Sequence, residues 1–245
     1  MRVYGLIGYP LGHSMSQHYF NEKFKSESLL DCKFELFPID KISHLPFLIE
    51  SEPDLVGLAV TIPYKEAVIP YLSAIDDVAS NIQAVNCVIF SDGGMKGYNT
   101  DIIGFEKSFV PLLKPHHKKA IILGSGGASK AVQFVLEKIG MEFLIVSRKK
   151  SSDSNMIGYE LLEELLWNDY YVIINCTPLG MDPHFEKMPD IPYSLLNEKY
   201  LLYDLIYKPS ETLFMQMGIR SGATVKNGYE MLLIQAEENW KLWNK

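Results

Sequence analysis

Long apolar runs, paired cysteines and an excess of basic charge are all missing from this chain of 245 residues. No stretch of about eighteen apolar residues occurs, so no membrane-spanning helix is expected. The start MRVYGLIGYP lacks the charged region, apolar core and small-residue cleavage site of a secretory signal, and the chain is expected to stay in the cytoplasm. Cysteine is scarce. Cys32, Cys87 and Cys176 are odd in number, widely spaced and form no C-x-x-C, a pattern that suggests neither a disulfide framework nor a metal site, and they read as small core residues. A formal net charge of -7 argues against a nucleic-acid partner, because a phosphate backbone wants a basic face. What is present is a composition 47% apolar and 22% charged, enough for one large core or two smaller ones in a soluble protein.

The apolar pattern alternates between strand and helix periods. Val3 to Gly8 has strand length and runs into a turn rich in Gly, Pro and Ser, then into an amphipathic segment with Tyr19, Phe20 and Phe24. Strands are expected over 33–37 and 55–61, a helix over 43–50, and a further helix beginning near Tyr64. The segments 84–90 and 95–98 flank Ser91-Asp92-Gly93-Gly94 and predict a hairpin, so that the first unit closes with an antiparallel edge. A helix is expected over 101–113. Beyond it, 120–123, 127–139 and 143–147 have the spacing of a βαβ unit, and 171–175 and 200–205 read as further strands. Alternation of this kind builds mostly parallel sheets covered by helices, giving an α/β chain with an N-terminal mostly parallel domain and a second, Rossmann-like doubly wound domain.

Between the strand at 120–123 and its helix lies Gly124-Ser125-Gly126-Gly127-Ala128-Ser129, a variant of G-x-G-x-x-G with Ser129 at the third glycine position. Such a turn lets backbone N–H groups at a helix N-terminus approach a pyrophosphate. A glycine-rich turn alone can be purely structural, but this one follows a strand and opens a helix, as a dinucleotide site requires. About twenty residues on, an NAD site ends its second strand with an acid that holds the ribose 2′-hydroxyl. Here the strand ends Ser147-Arg148-Lys149-Lys150, with no acid before Asp153. That end suits a 2′-phosphate, with Arg148 as principal ligand, and predicts NADP. Lys65 and Asp101 stand just past strand ends, where open α/β sheets bind ligands. Taken singly, Lys65 reads as a surface lysine and Asp101 as a helix N-cap.

The segments Gly8-Tyr9-Pro10-Leu11-Gly12-His13-Ser14-Met15-Ser16, Val60-Thr61-Ile62-Pro63-Tyr64-Lys65, Ala84-Val85-Asn86, Gly97-Tyr98-Asn99-Thr100-Asp101 and Asn227-Gly228-Tyr229-Glu230-Met231-Leu232-Leu233-Ile234-Gln235-Ala236 occur in one order along nearly the whole chain. Together they resemble the shikimate dehydrogenase family. The resemblance implies NADP-dependent reduction of 3-dehydroshikimate to shikimate, with Lys65 and Asp101 as the catalytic pair. It implies Ser14 and Ser16 as donors to the substrate carboxylate, Thr61, Asn86, Asp101 and Gln235 as ligands of its ring hydroxyls, and Tyr207 as a further substrate position. On the cofactor side it implies Gly124, Ser125, Gly126, Gly127, Ala128, Ser147, Arg148, Lys149, Thr177, Leu205 and Gly228. Neither a metal nor a covalent intermediate is required. The resemblance also implies that a substrate domain over 1–101 is completed by a C-terminal helix over 227–245, with the NADP domain over 102–226, in a monomer or homodimer.

Several positions depart from the family pattern. Gln17 stands where proline is common, Ala59 where asparagine is common, Lys208 where asparagine is common, and Ser147-Arg148-Lys149 replaces Asn-Arg-Thr. The stretch 150–168 reads as too short for a crossover helix and strand, and 151–154 as a polar loop. Competing readings are a quinate/shikimate dehydrogenase preferring NAD and a non-catalytic sensor of metabolite or dinucleotide. A hydrolase built on His13-Ser14 lacks the G-x-S-x-G elbow.

Overall fold

The computed structural model describes every residue except His13, 149–154 and 168, and the backbone alone of Trp167. The chain divides into two units, one of Met1–Ile103 with Leu233–Lys245 and one of Gly104–Leu232. The α/β class expected from the alternating pattern is the one observed.

The first unit runs β1 (Arg2–Gly8), α1 (Met15–Ser26), β2 (Cys32–Pro38), α2 (Leu45–Ser51), β3 (Leu55–Val60), β4 (Ala74–Ile75), α3 (Asp77–Ile82), β5 (Cys87–Ser91), β6 (Gly94–Tyr98) and the start of α4 (Asp101–Phe109). Its sheet has the order β2-β1-β3-β5-β6-β4. β1 lies inside the sheet between β2 and β3 and is apolar on both faces. Val3 and Ile7 join Leu45, Leu58, Val60 and Tyr64 in one cluster, while Tyr4 and Leu6 join Phe20, Phe24, Phe34 and Trp243 in another. Trp243 is anchored there by its Nε1–H, which donates to the Val88 carbonyl at 3.1 Å.

Three local expectations are corrected. No α-helix starts near Tyr64; the chain makes turns and then a short 3-10 turn at Ile69–Tyr71. Pro63 and Pro70 bracket this stretch and remove helix donors, and the Lys65 carbonyl accepts from the Val85 N–H at 2.7 Å instead of from its own next turn. The expected antiparallel hairpin forms between β5 and β6, but the sheet ends beyond it in β4, a two-residue strand parallel to β6. So short a strand leaves no readable alternation. The stretch 150–168, expected to be too short for a crossover helix and strand, holds a short strand at Met156–Ile157 and a short helix at Leu162–Trp167; 150–154 and 168 lie outside the described residues.

The second unit holds the rest of α4, then β7 (Lys119–Leu123), α5 (Gly127–Lys138), β8 (Glu142–Val146), β9 (Met156–Ile157), α6 (Leu162–Trp167), β10 (Val172–Asn175), β11 (Leu201–Asp204), α7 (Leu213–Arg220), β12 (Thr224–Lys226) and the start of α8 (Tyr229–Trp243). Residues 151–154, expected as a polar loop, lie outside the described residues. All paired strands here are parallel, in the order β12-β11-β10-β7-β8-β9. The chain starts at the centre, winds outward through β8 and β9, then returns past β7 and winds the other way. This doubly wound order creates a switch point between β7 and β10, outside whose carboxyl ends dinucleotides bind. α5 covers the sheet through buried Ala131, Val132, Val135 and Leu136, and the chain leaves it at Gly140 with φ +70°. No helix among the described residues is long and apolar enough to cross a membrane.

Candidate active site

In the first sheet β2 and β3 flank β1 on opposite sides, so the winding reverses between β1 and β3. The loops that leave those strands carry Ser14 and Lys65, and they are tied together by Tyr9 N–H to the Ile62 carbonyl at 3.0 Å and Thr61 N–H to the Ile7 carbonyl at 2.9 Å. Ser14 caps α1, its Oγ accepting from the Ser16 N–H at 3.2 Å, and Ser16 is buried beside it. Hydroxyls and a helix N-terminus placed together suit a carboxylate.

Lys65 Nζ donates to Asp101 Oδ2 at 2.5 Å, with only 14% and 7% of the two side chains exposed. The N-cap reading of Asp101 gives way here. Asn99 Oδ1 accepts from the Ile102 N–H at 3.3 Å, which leaves the Asp101 carboxylate to Lys65 and to Asn86 Nδ2 at 2.9 Å. Asn86 Nδ2 also reaches Gln235 Oε1 at 3.4 Å, so Lys65, Asp101, Asn86 and Gln235 form one connected array. Thr61 directly follows β3 in the first unit; Tyr207 belongs to the second unit, after β11. Two buried members, Thr100 and Asn239, escaped the sequence reading. Asn239 lies one helical turn after Gln235, and that spacing was the available signal.

In the second unit Gly124 has φ +99°, a left-handed conformation, and a Cβ there would stand 3.0 Å from Thr177 Cγ2. Gly126 is the N-cap of α5, and a Cβ on it would meet no atom within 4 Å, so the loop is open at that point, where a helix N-terminus suits a phosphate. Ser129 explains why a non-glycine is tolerated at the third position: it is fully buried and its Oγ donates to the Gly126 carbonyl at 2.7 Å. Ser125 Oγ lies 3.3 Å from Ser147 Oγ, which sets the end of β8 against the glycine loop, with Arg148 following it and exposed. Lys149 lies outside the described residues. At Gly228 a Cβ would fall 2.1 Å from the Leu205 carbonyl oxygen, so this close approach admits glycine alone.

The carboxyl ends of β10 and β11 are joined by Asp204. Its Oδ1 accepts from Asn175 Nδ2 and the Ile206 N–H, each at 3.0 Å, and its Oδ2 from the Thr212 hydroxyl at 2.6 Å. Asn175 Oδ1 in turn accepts from the Thr177 N–H and hydroxyl. Complete burial pushes the Asp204 carboxyl up to about 6 and outweighs these hydrogen bonds, while Tyr193 is pushed up by its own burial first and by the Asp204 charge second. Burial likewise raises Tyr207. Asp204 holds its proton more tightly folded than unfolded, so its contribution to stability is full below about 4 and is lost as pH rises through about 6. Asp204→Asn therefore gains on the parent protein between pH 4 and 7, by roughly 3 kcal/mol at the top of that window. Thermal unfolding at the two ends of the window checks this, and an equal effect at both would contradict it.

Residues 6–88 match a family model described as the shikimate dehydrogenase substrate binding domain. Over 271 aligned residues the chain is 36% identical to the shikimate dehydrogenase (NADP(+)) of Halothermothrix orenii, an alignment covering 99% of this chain and 90% of that protein. The crystal structure of shikimate dehydrogenase from Aquifex aeolicus superposes with a TM-score of 0.88 at 33% identity, over 99% of this chain and 92% of that one. The Thermus thermophilus enzyme in complex with NADP(H) and shikimate gives a TM-score of 0.84 at 28% identity, over 99% and 93%.

Proposed function

This chain belongs to the shikimate dehydrogenase family, and on that premise we propose how its residues perform the reversible, NADP-dependent reduction of 3-dehydroshikimate to shikimate. The observation that carries the reading is the buried contact of Lys65 Nζ with Asp101, connected through Asn86 to Gln235.

NADPH, when bound, supplies the hydride that reaches the carbonyl carbon. The carbonyl oxygen gains negative charge as it becomes an alkoxide. The Lys65 ammonium stabilises that charge and delivers the proton that completes the hydroxyl. Asp101 holds the ammonium in place and, in the reverse direction, favours its recharging. Thr61, Asn86, Asp101 and Gln235 take the ring hydroxyls, and Tyr207 contributes a further contact. Ser14 and Ser16 hold the carboxylate at the start of α1. Gly124 to Ala128 and Ser147 would receive the cofactor phosphates, Arg148 and Lys149 the 2′-phosphate, and Thr177, Leu205 and Gly228 the nicotinamide half. The reading divides these roles between a substrate domain over 1–101 with the C-terminal helix over 227–245 and an NADP domain over 102–226. It extends to a cytoplasmic monomer or homodimer.

The test is absorbance at the reduced-nicotinamide band with shikimate or quinate against NADP or NAD. Turnover is expected with shikimate and NADP. Ser14→Ala with Ser16→Ala should raise the KM for shikimate, and lower kcat to the extent that the carboxylate aligns the carbonyl. Unchanged kinetics in the double variant would remove the carboxylate role.

A further inference from the structure

The polar array around Lys65 and Asp101 has one internal hydrogen-bond direction, and a group that cannot turn over sets it. The Thr100 backbone N–H can only donate, so the Asn86 atom 2.7 Å from it is the carbonyl Oδ1. Asn86 Nδ2 must then be the donor: its two hydrogens serve Asp101 Oδ1 at 2.9 Å and Thr100 Oγ1 at 3.0 Å, and Gln235 Oε1 at 3.4 Å shares one of them. The Thr100 hydroxyl has two acceptors in reach, Asn86 Oδ1 at 3.2 Å and Asn239 Oδ1 at 2.6 Å, and sends its proton to the nearer, Asn239. Asn239 thereby presents Nδ2 to Gln235 Oε1, at 3.3 Å. Thr100 and Asn239 are both almost fully buried, so water cannot substitute for either partner without rearrangement.

Two amide donors, from Asn86 and Asn239, thus converge on the Gln235 oxygen. Reversing the Gln235 amide would set its NH2 against both. The orientation matters for recognition because an amide offers an acceptor on one side and donors on the other, whereas the Asp101 carboxylate only accepts.

We propose that Asn239 is a positioning residue for the substrate: by donating to Gln235 Oε1 and accepting from Thr100, it fixes the Gln235 amide so that a ring hydroxyl there accepts a hydrogen bond, while the hydroxyl at Asp101 donates one. The inference rests on the reading of this array as the site of the ring hydroxyls. Hydrogen-bond direction then separates hydroxyls that are alike in size, and a site built this way discriminates strongly because a mismatched hydroxyl leaves buried polar groups unpaired.

The experiment measures, by calorimetry on the full chain, binding of shikimate and separately of NADP to the parent, N239A, N239D, Q235A and the N239A/Q235A double variant. N239A and Q235A should each weaken shikimate about tenfold, and the double variant should match Q235A within about twofold, because Asn239 acts through Gln235. NADP affinity should stay within about twofold in all of them. N239D keeps the acceptor for Thr100 and loses the donor to Gln235, so it should weaken shikimate as N239A does; it also supplies a second arm if N239A folds poorly. Losses that add in the double variant, or N239D binding like the parent, overturn the role of Asn239 while leaving the site intact. Q235A with undiminished shikimate binding overturns the site reading itself, and the inference with it.

Discussion

Lys65→Met lowers kcat by about 10²-fold or more, the usual range for a lost general acid or oxyanion donor, and Lys65→Ala is equally impaired. Methionine keeps most of the stem volume and removes the charge, so the comparison separates electrostatics from packing. The effect falls on kcat because charge on the carbonyl oxygen develops only as the hydride arrives, and an ammonium complements that state far better than the ground state. Shikimate affinity measured directly changes much less, since on the proposed reading Asn86, Gln235 and the α1 serines still hold the ligand. The substitution also strands Asp101, a carboxylate 7% exposed whose remaining side-chain donor is Asn86. Losing one partner of a well-buried pair costs up to about 3–5 kcal/mol, so unfolding is followed alongside kinetics. Asp101→Asn keeps size and removes the charge that orients the ammonium; it should lower kcat with a smaller change in shikimate affinity. If both lysine variants stay folded, bind cofactor and keep near-normal kcat, Lys65 is not the proton donor.

Arg148→Ala raises the KM for NADP about tenfold to a hundredfold and barely moves that for NAD, as follows from roughly 1.5–3 kcal/mol per charged hydrogen bond. The end of β8 lies against the glycine loop through the Ser125–Ser147 contact and Arg148 follows directly, so on the proposed reading it meets the ribose of a cofactor whose pyrophosphate rests on α5. Ribose with a bare 2′-hydroxyl offers the guanidinium no charge, hence the asymmetry between cofactors. Arg148 is exposed, so the preference should shrink as salt rises. Equal losses for NADP and NAD would move the phosphate site elsewhere.

The strands and helices with long, regular apolar patterns were legible along the chain. β1, β3, β7, β10 and α5 bury whole faces, and burial writes a period into the sequence. The glycine loop was legible for the same kind of reason, since a backbone that must take φ +99° at Gly124 constrains residue type locally. Short elements were not. β4, β9 and α6 are held by neighbours more than by their own pattern, and the helix expected near Tyr64 is cancelled by a backbone bond from Val85 that no local window contains.

The sequence by itself determined the alternation that makes two parallel-rich sheets, the phosphate-binding turn with its basic strand end, and the presence of Lys65 and Asp101 just past strand ends. Tertiary structure alone decided how those residues are used. Asn99 takes over the cap and leaves Asp101 to Lys65; Asp204 joins β10 to β11 as a buried carboxyl; Asn239 meets Thr100 and Gln235 across 139 and 4 residues of chain. A hydrogen bond depends on which donor stands opposite which acceptor in space. Residue spacing records that only where both partners share one helix or strand.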